Sequence, residues 1–130
     1  MNILALDFGT KRIGLAWTDT GMGMVLPFGV VENDEQGVRS KEQLIALFKQ
    51  EHIQKVVVGL PIGLDGKENK NTIRIREFVK ELQLETEVPF EFFDERFSSQ
   101  AADRMEGGVS RDEKSAVVIL EGYLEKIKKL

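Results

Sequence analysis

Three carboxylates in this sequence stand where an α/β protein does its chemistry. Asp7 follows the apolar run 3–6, Glu95 follows the run 89–93 by way of Asp94, and Asp112 opens the segment with the clearest helical rhythm. Ligands of open α/β sheets gather outside the carboxyl ends of the parallel strands. Two strand-end acids and one from a helix start, converging there, would hold a hard divalent cation, Mg²⁺ or alternatively Mn²⁺. Such an ion activates water and stabilises the leaving oxygen in phosphodiester hydrolysis. Each position also has an ordinary reading. Strand-end acids are common in solvated turns, and Asp94 competes with Glu95 as the donor. Asp112 lies inside an S-x-x-E capping box made by Ser110 and Glu113, where it would simply complement the helix dipole. Yet Asp112 stands four residues before Ala116, on the extension of a buried stripe, and an inward-pointing carboxylate needs a partner.

Cations that would meet a phosphate lie in two places. Lys11 and Arg12 follow an Asp-Phe-Gly-Thr turn whose small residues let a phosphate approach the backbone. The stretch 67–80 carries Lys67, Lys70, Arg74, Arg76 and Lys80 against Glu68 and Glu77, whereas 81–95 carries six acids and no base. Lys70, Arg74 and Arg76 are candidate phosphate contacts, with Arg96 beside the acids as a further one; solvated surface charge is the plain alternative. His52 reads as an exposed residue at the end of a helix, and Trp17 and Tyr123 as core or core-margin residues.

Composition narrows the chemistry further. With 130 residues, 42% of them hydrophobic, the chain fits one globular domain, 1–130, and not two domains closing over a cleft. The formal net charge of -4 means that any nucleic-acid binding must be local. The absence of cysteine and the single histidine remove thiolate nucleophiles and Cys or His-rich metal sites. Neither a signal peptide nor a membrane-spanning run is evident, so a cytoplasmic protein is expected.

The elements that must position these residues follow an α/β pattern with a mixed sheet. Runs 3–6 and 13–17 around a Gly-containing turn read as a hairpin, and 24–31 as a third strand with Pro27 favouring an edge. Residues 38–50 have helical spacing. Val56, Val57 and Val58 form the unbroken apolar run of a parallel strand covered on both faces. A loop over 62–71 leads into a helix with Ile75, Phe78, Val79 and Leu82 on one face, and 89–93 is the last strand. Ser98 or Ser99 would cap a short helix through Met105, ended by Gly107 and Gly108. Ala116, Ile119, Leu120, Tyr123, Leu124 and Ile127 form the stripe of the final helix.

Taken together, LALDFGTKRIGLAWTD, VVVGLPIGLDGKEN, FFDERFSSQAA and DEKSAVVILEGYLE resemble the signature segments of the YqgF family, also called RuvX, across essentially the whole chain. Members are described as RuvC-like Holliday-junction resolvase homologues and as pre-16S rRNA nucleases. The resemblance implies a ribonuclease H-like fold, α/β with a five-stranded mixed sheet of order 3-2-1-4-5, flanked by helices. It also implies a cytoplasmic role in maturing the 5′ end of small-subunit rRNA, with structured DNA as the alternative substrate. By position, the family's catalytic and metal-binding acids fall on Asp7, Glu95 and Asp112.

Two departures stand out. Where family members carry a longer Lys- and Arg-rich insert before the final acid, Arg111 alone separates Ser110 from Asp112, and Ser115 replaces the first alanine of the DxxAA pattern. The shortened loop removes phosphate-binding charge beside the site. A binding or regulatory module that has lost cleavage is therefore a second expectation. A third, an ATPase or sugar kinase suggested by Asp-Phe-Gly-Thr, needs two such domains.

Overall fold

In a computed structural model, which describes residues 1–9, 11–33, 37–61, 66–94 and 111–128, one five-stranded sheet runs β3-β2-β1-β4-β5. Its strands are β1 (Asn2–Phe8), β2 (Arg12–Asp19), β3 (Leu26–Glu32), β4 (Lys55–Leu60) and β5 (Phe90–Asp94). The helices are α1 (Val38–Gln50), α2 (Lys70–Gln83) and α3 (Arg111–Lys128). β2 is antiparallel to β1 and β3, while β4 pairs in parallel with β1 and β5. This is the expected ribonuclease H-like sheet. Pro27 stands in the edge strand β3, where its missing N–H costs no inner ladder bond.

Alternation along the strands divides the core into two layers. Leu4, Leu6 and Phe8 of β1 join Ile13, Leu15, Val56 and Val58 against Leu44 and Phe48 of α1 and Ile75, Val79 and Leu82 of α2. Ile3, Ala5, Ala16, Val57 and Phe93 point the other way and pack under Ala116, Val117, Ile119, Leu120 and Tyr123 of α3. The second face is built of small residues near its centre, so α3 comes very close to the sheet.

Connection lengths and direction do the rest. α1, α2 and α3 follow β3, β4 and β5, which all run in the direction of β1, so all three helix N-termini face the carboxyl end of these strands. Asn69 caps α2, its carboxamide oxygen accepting from the N–H groups of Asn71 and Thr72 while the Thr72 hydroxyl accepts from the Asn69 N–H. Gly37, at φ 69°, starts α1, and a Cβ there would meet the Phe78 ring at 2.9 Å.

Several expectations shift in detail. β1 extends to Phe8, so Asp7 lies within the strand. α1 ends at Gln50, and exposed His52 follows it at φ 52°. Trp17, half-buried beside Phe28, and buried Tyr123 stand as expected at the core margin and in the core. Ile127, expected on the core stripe of α3, is exposed, because by its last turns the helix has run past the sheet residues that cover Ala116 to Tyr123. The short helix expected after Ser98 or Ser99, with Gly107 and Gly108, lies outside the described residues.

Candidate active site

Period-two alternation sends Asp7 to the α3 face of β1, in line with Ile3 and Ala5. Its ladder partner in β2 is Gly14. Cross-strand partners present their side chains on the same face, so the vacancy left by glycine lies directly beside the Asp7 carboxylate. The start of α3 fills that vacancy. A Cβ on Gly14 would lie 2.0 Å from the Asp112 carbonyl oxygen, 2.4 Å from its carbon and 3.0 Å from the Asp112 Cβ. Gly9 is next in line, since a Cβ there would sit 3.7 Å from Asp112 Oδ1. With its backbone seated on Gly14 and its carboxylate near Gly9, Asp112 stands beside the ladder partner of Asp7 at the carboxyl end of the sheet.

Both carboxylates are half-buried. Arg12, on the same face of β2 as Gly14, places Nη1 3.9 Å from Asp112 Oδ2 and Nε 3.8 Å from Glu32 Oε1. A cation at that position offsets the charge of the acid and is itself half-exposed, open to a phosphate. The turn between β1 and β2 is tied at both ends: the Gly9 N–H donates to the Arg12 carbonyl at 2.8 Å. Asn33 donates from its backbone to the Lys11 carbonyl at 2.9 Å and from its carboxamide to the Gly9 carbonyl at 3.1 Å. Lys11 is exposed at the tip.

The α2 cations are not with the acids. α2 packs on the opposite face of the sheet, so Lys70, exposed in its first turn, shares only the carboxyl end with Asp7 and Asp112. Arg74 is half-buried further along. Arg76 is engaged within the protein, its Nε paired with Glu68 and its guanidinium 4.8 Å from the centre of the Phe92 ring. Asp94, the rival to Glu95, closes β5 level with Leu60 and is half-buried. Glu95 and Arg96 lie outside the described residues. Among the described residues no three Asp, Glu, His or Cys side chains form a metal-binding group.

Gly14, Asn33 and Glu113 also build the site, although none of them is among the residues expected there from the sequence. An isolated glycine inside a strand signals close backbone approach, and that signal was present at Gly14. The sequence pairs Glu113 in a capping box with Ser110, which lies outside the described residues; its carboxylate accepts from the Gly29 N–H at 2.8 Å. No local pattern announces a bond across 84 positions.

At the far end of α3 a second polar cluster has a structural character. The Tyr123 hydroxyl donates to Glu91 Oε2 at 2.6 Å, Lys55 Nζ lies 2.7 Å from the same oxygen, and the ammonium sits 5.0 Å from the centre of the Tyr123 ring. The bond from Lys55 holds the Glu91 carboxyl below its ordinary range, while Glu91 raises the Lys55 ammonium. Burial, with Glu91 beside it, raises the Tyr123 phenol. The cluster pins α3 at the end remote from Asp112.

Known proteins match this chain over most of their length. A chain of Maridesulfovibrio salexigens named "Putative pre-16S rRNA nuclease" is 34% identical, covering 95% of this chain and 98% of its own. A Bartonella henselae protein of the same name is 36% identical over 98% and 86%. Thermus thermophilus RuvC in complex with a Holliday junction substrate superposes with a TM-score of 0.72 at 14% identity, covering 99% of this chain and 96% of that one. The fowlpox virus Holliday junction resolvase gives 0.57 at 13%, covering 97% and 99%. These structural likenesses establish the fold. The family model described as "RuvX: Holliday junction resolvase" matches residues 1–126, and with relatives at this identity over nearly the whole length the chain belongs to the RuvX family.

Proposed function

We propose that the chain is a metal-dependent nuclease that hydrolyses phosphodiester bonds and processes the 5′ end of pre-16S rRNA in the cytoplasm during ribosome biogenesis. The observation that carries this reading is the seating of the Asp112 backbone on Gly14, next to its ladder partner Asp7. A helix start and a strand, each carrying a carboxylate, meet in backbone contact at the carboxyl end of the sheet, where ligands of open α/β sheets gather.

Hard oxygen donors of this kind suit Mg²⁺, with Mn²⁺ as the alternative, and Asp7, Asp112 and Glu95 would hold it. When bound, the ion supplies water activation and charge neutralisation at the leaving oxygen. Arg12 and Lys11 orient the scissile strand by its phosphates, and the tied Gly9 turn keeps them in place. The names of the curated relatives favour an rRNA precursor over a DNA junction as substrate.

Incubation of the purified protein with a 5′-labelled pre-16S rRNA transcript and, separately, with junction DNA, each in Mg²⁺, Mn²⁺ or EDTA, tests the proposal. Cleavage of the RNA is expected with either metal and not with EDTA. Asp7→Asn, which keeps the side-chain shape and removes the charge, is expected to abolish it with an unchanged circular dichroism spectrum. RNA binding without cleavage by the wild-type protein would replace the nuclease with a binding module, the reading that the short Arg111 loop favours.

A further inference from the structure

The edge strand carries an irregularity aimed at α3. Ala16 pairs with Pro27 and Gly14 with Val30, so β3 spends one more residue than β2 between these rungs. Phe28 and Gly29 together oppose Leu15, the two-against-one pattern of a β-bulge. Gly29 has φ +94°, a conformation that L side chains rarely adopt. The Phe28 side chain turns into the α1/α2 layer beside Trp17, with ring centres 6.3 Å apart. The Gly29 N–H turns the other way and donates at 2.8 Å to Glu113 Oε2, in a part-buried contact.

Glu113 is the residue after Asp112, and Gly29 lies one position from Val30, the ladder partner of Gly14. The first turn of α3 is therefore held at two adjacent points: the Asp112 backbone rests on Gly14, and the Glu113 carboxylate grips the bulge. The glycine contact prevents approach beyond a fixed distance and supplies no attraction of its own. A charge-assisted hydrogen bond in a part-buried setting supplies the attraction and opposes fraying of the helix start. We infer that Glu113 is a positioning residue for Asp112, acting through the Gly29 amide, and that the bulge in β3 exists to present that amide. This rests on the nuclease reading only for the role of Asp112; the clamp itself is a property of the fold.

Three proteins test it: wild type, Glu113→Gln, which keeps an acceptor oxygen, and Glu113→Ala, which removes it. Amide hydrogen exchange at Gly29 and in the first turn of α3, and calorimetric titration with Mg²⁺ alone, are the readouts. Glu113→Ala is expected to speed Gly29 exchange roughly tenfold and to weaken Mg²⁺ binding by a similar factor, with Glu113→Gln, which keeps the bond without its charge, falling between Glu113→Ala and wild type on both. A residue important for stability alone would lower the melting temperature and leave Mg²⁺ affinity unmoved, which would overturn the inference. Equally damaging would be Glu113→Gln losing Mg²⁺ as completely as Glu113→Ala while the Gly29 amide stays protected, since that marks a direct ligand. Failure of the nuclease reading shows separately, as absence of metal-dependent RNA cleavage by the wild-type protein, and the Gly29 exchange rates of the variants still decide the clamp.

Discussion

Replacing Gly14 with alanine puts a methyl group into space that the Asp112 backbone already occupies. The new Cβ would stand 2.0 Å from the Asp112 carbonyl oxygen. Carbon and oxygen tolerate an approach of about 3.3 Å, so helix and strand must separate by roughly 1.3 Å at this point. The oxygen belongs to the backbone, so no rotamer change relieves the clash. Nor can α3 lift as a whole, because Ala116, Ile119, Leu120 and Tyr123 are buried below and Glu113 is bonded to Gly29 above. The start of the helix is expected to tilt away and carry Asp112 with it. Overpacking of this kind costs about 2 kcal/mol, which for a chain of this size lowers the melting temperature by roughly 7 °C. A misplacement of about 1 Å at a site of chemistry costs on the order of a hundredfold in rate, so kcat/KM on the rRNA precursor is expected to fall by about that factor. Gly21→Ala is the control, since a Cβ there meets only Asp19 Oδ1 at 3.6 Å, an ordinary contact. Thermal melts, Mg²⁺ titration and single-turnover cleavage of both variants decide the matter. A Gly14→Ala protein that melts and cleaves like wild type would refute the account of how Asp112 is seated.

Further expectations concern the rest of the molecule. Lys11→Ala with Arg12→Ala should flatten the salt dependence of RNA binding by roughly one unit per lost phosphate contact, read from a salt titration, whereas Lys70→Ala with Arg74→Ala, on the other face of the sheet, should leave the slope near wild type. Arg76→Ala should instead cost about 1 kcal/mol of stability through the Glu68 pair and the Phe92 ring, with little change in that slope. For Glu91, whose folded-state carboxyl is held below its ordinary range, the stabilisation is present above the unfolded carboxylate range and is lost as pH falls through the folded value. Glu91→Gln should therefore unfold at lower urea than wild type at pH 7, by about 1 kcal/mol for this partly exposed group, with the gap closing in acid. At the alkaline end the raised Lys55 and Tyr123 make the contribution fade as pH climbs past their ordinary values. Gly122→Ala brings a Cβ to 2.9 Å from the Phe93 ring; the gain of about 1 kcal/mol in helix propensity is outweighed by overpacking, and a net loss of about 1 kcal/mol is expected in chemical denaturation.

Much of this architecture is legible one segment at a time, because its signals are local. The unbroken run Val56 to Val58 marks a strand covered on both faces, the stripe from Ala116 to Tyr123 marks a helix with a buried side, and Pro27 marks an edge. The order of such elements, with the right-handed crossover, already sends Asp7 and the residues after Phe93 to one end of the sheet. Other features depend on contacts between distant segments. That Asp112 rests on Gly14, that Glu113 bonds to Gly29, and that Arg76 spends its charge on Glu68 and Phe92 are settled by close packing. A glycine is silent in sequence about which atom will fill the space it leaves, and a charged side chain about which of several partners lies within reach. The sequence by itself therefore determined the layers and the end of the sheet where chemistry belongs, while the strand order came with the resemblance of the signature segments to a known family. Tertiary structure alone decided which side chains meet there, because hydrogen bonds and steric contacts act over a few ångströms between residues as much as 84 positions apart.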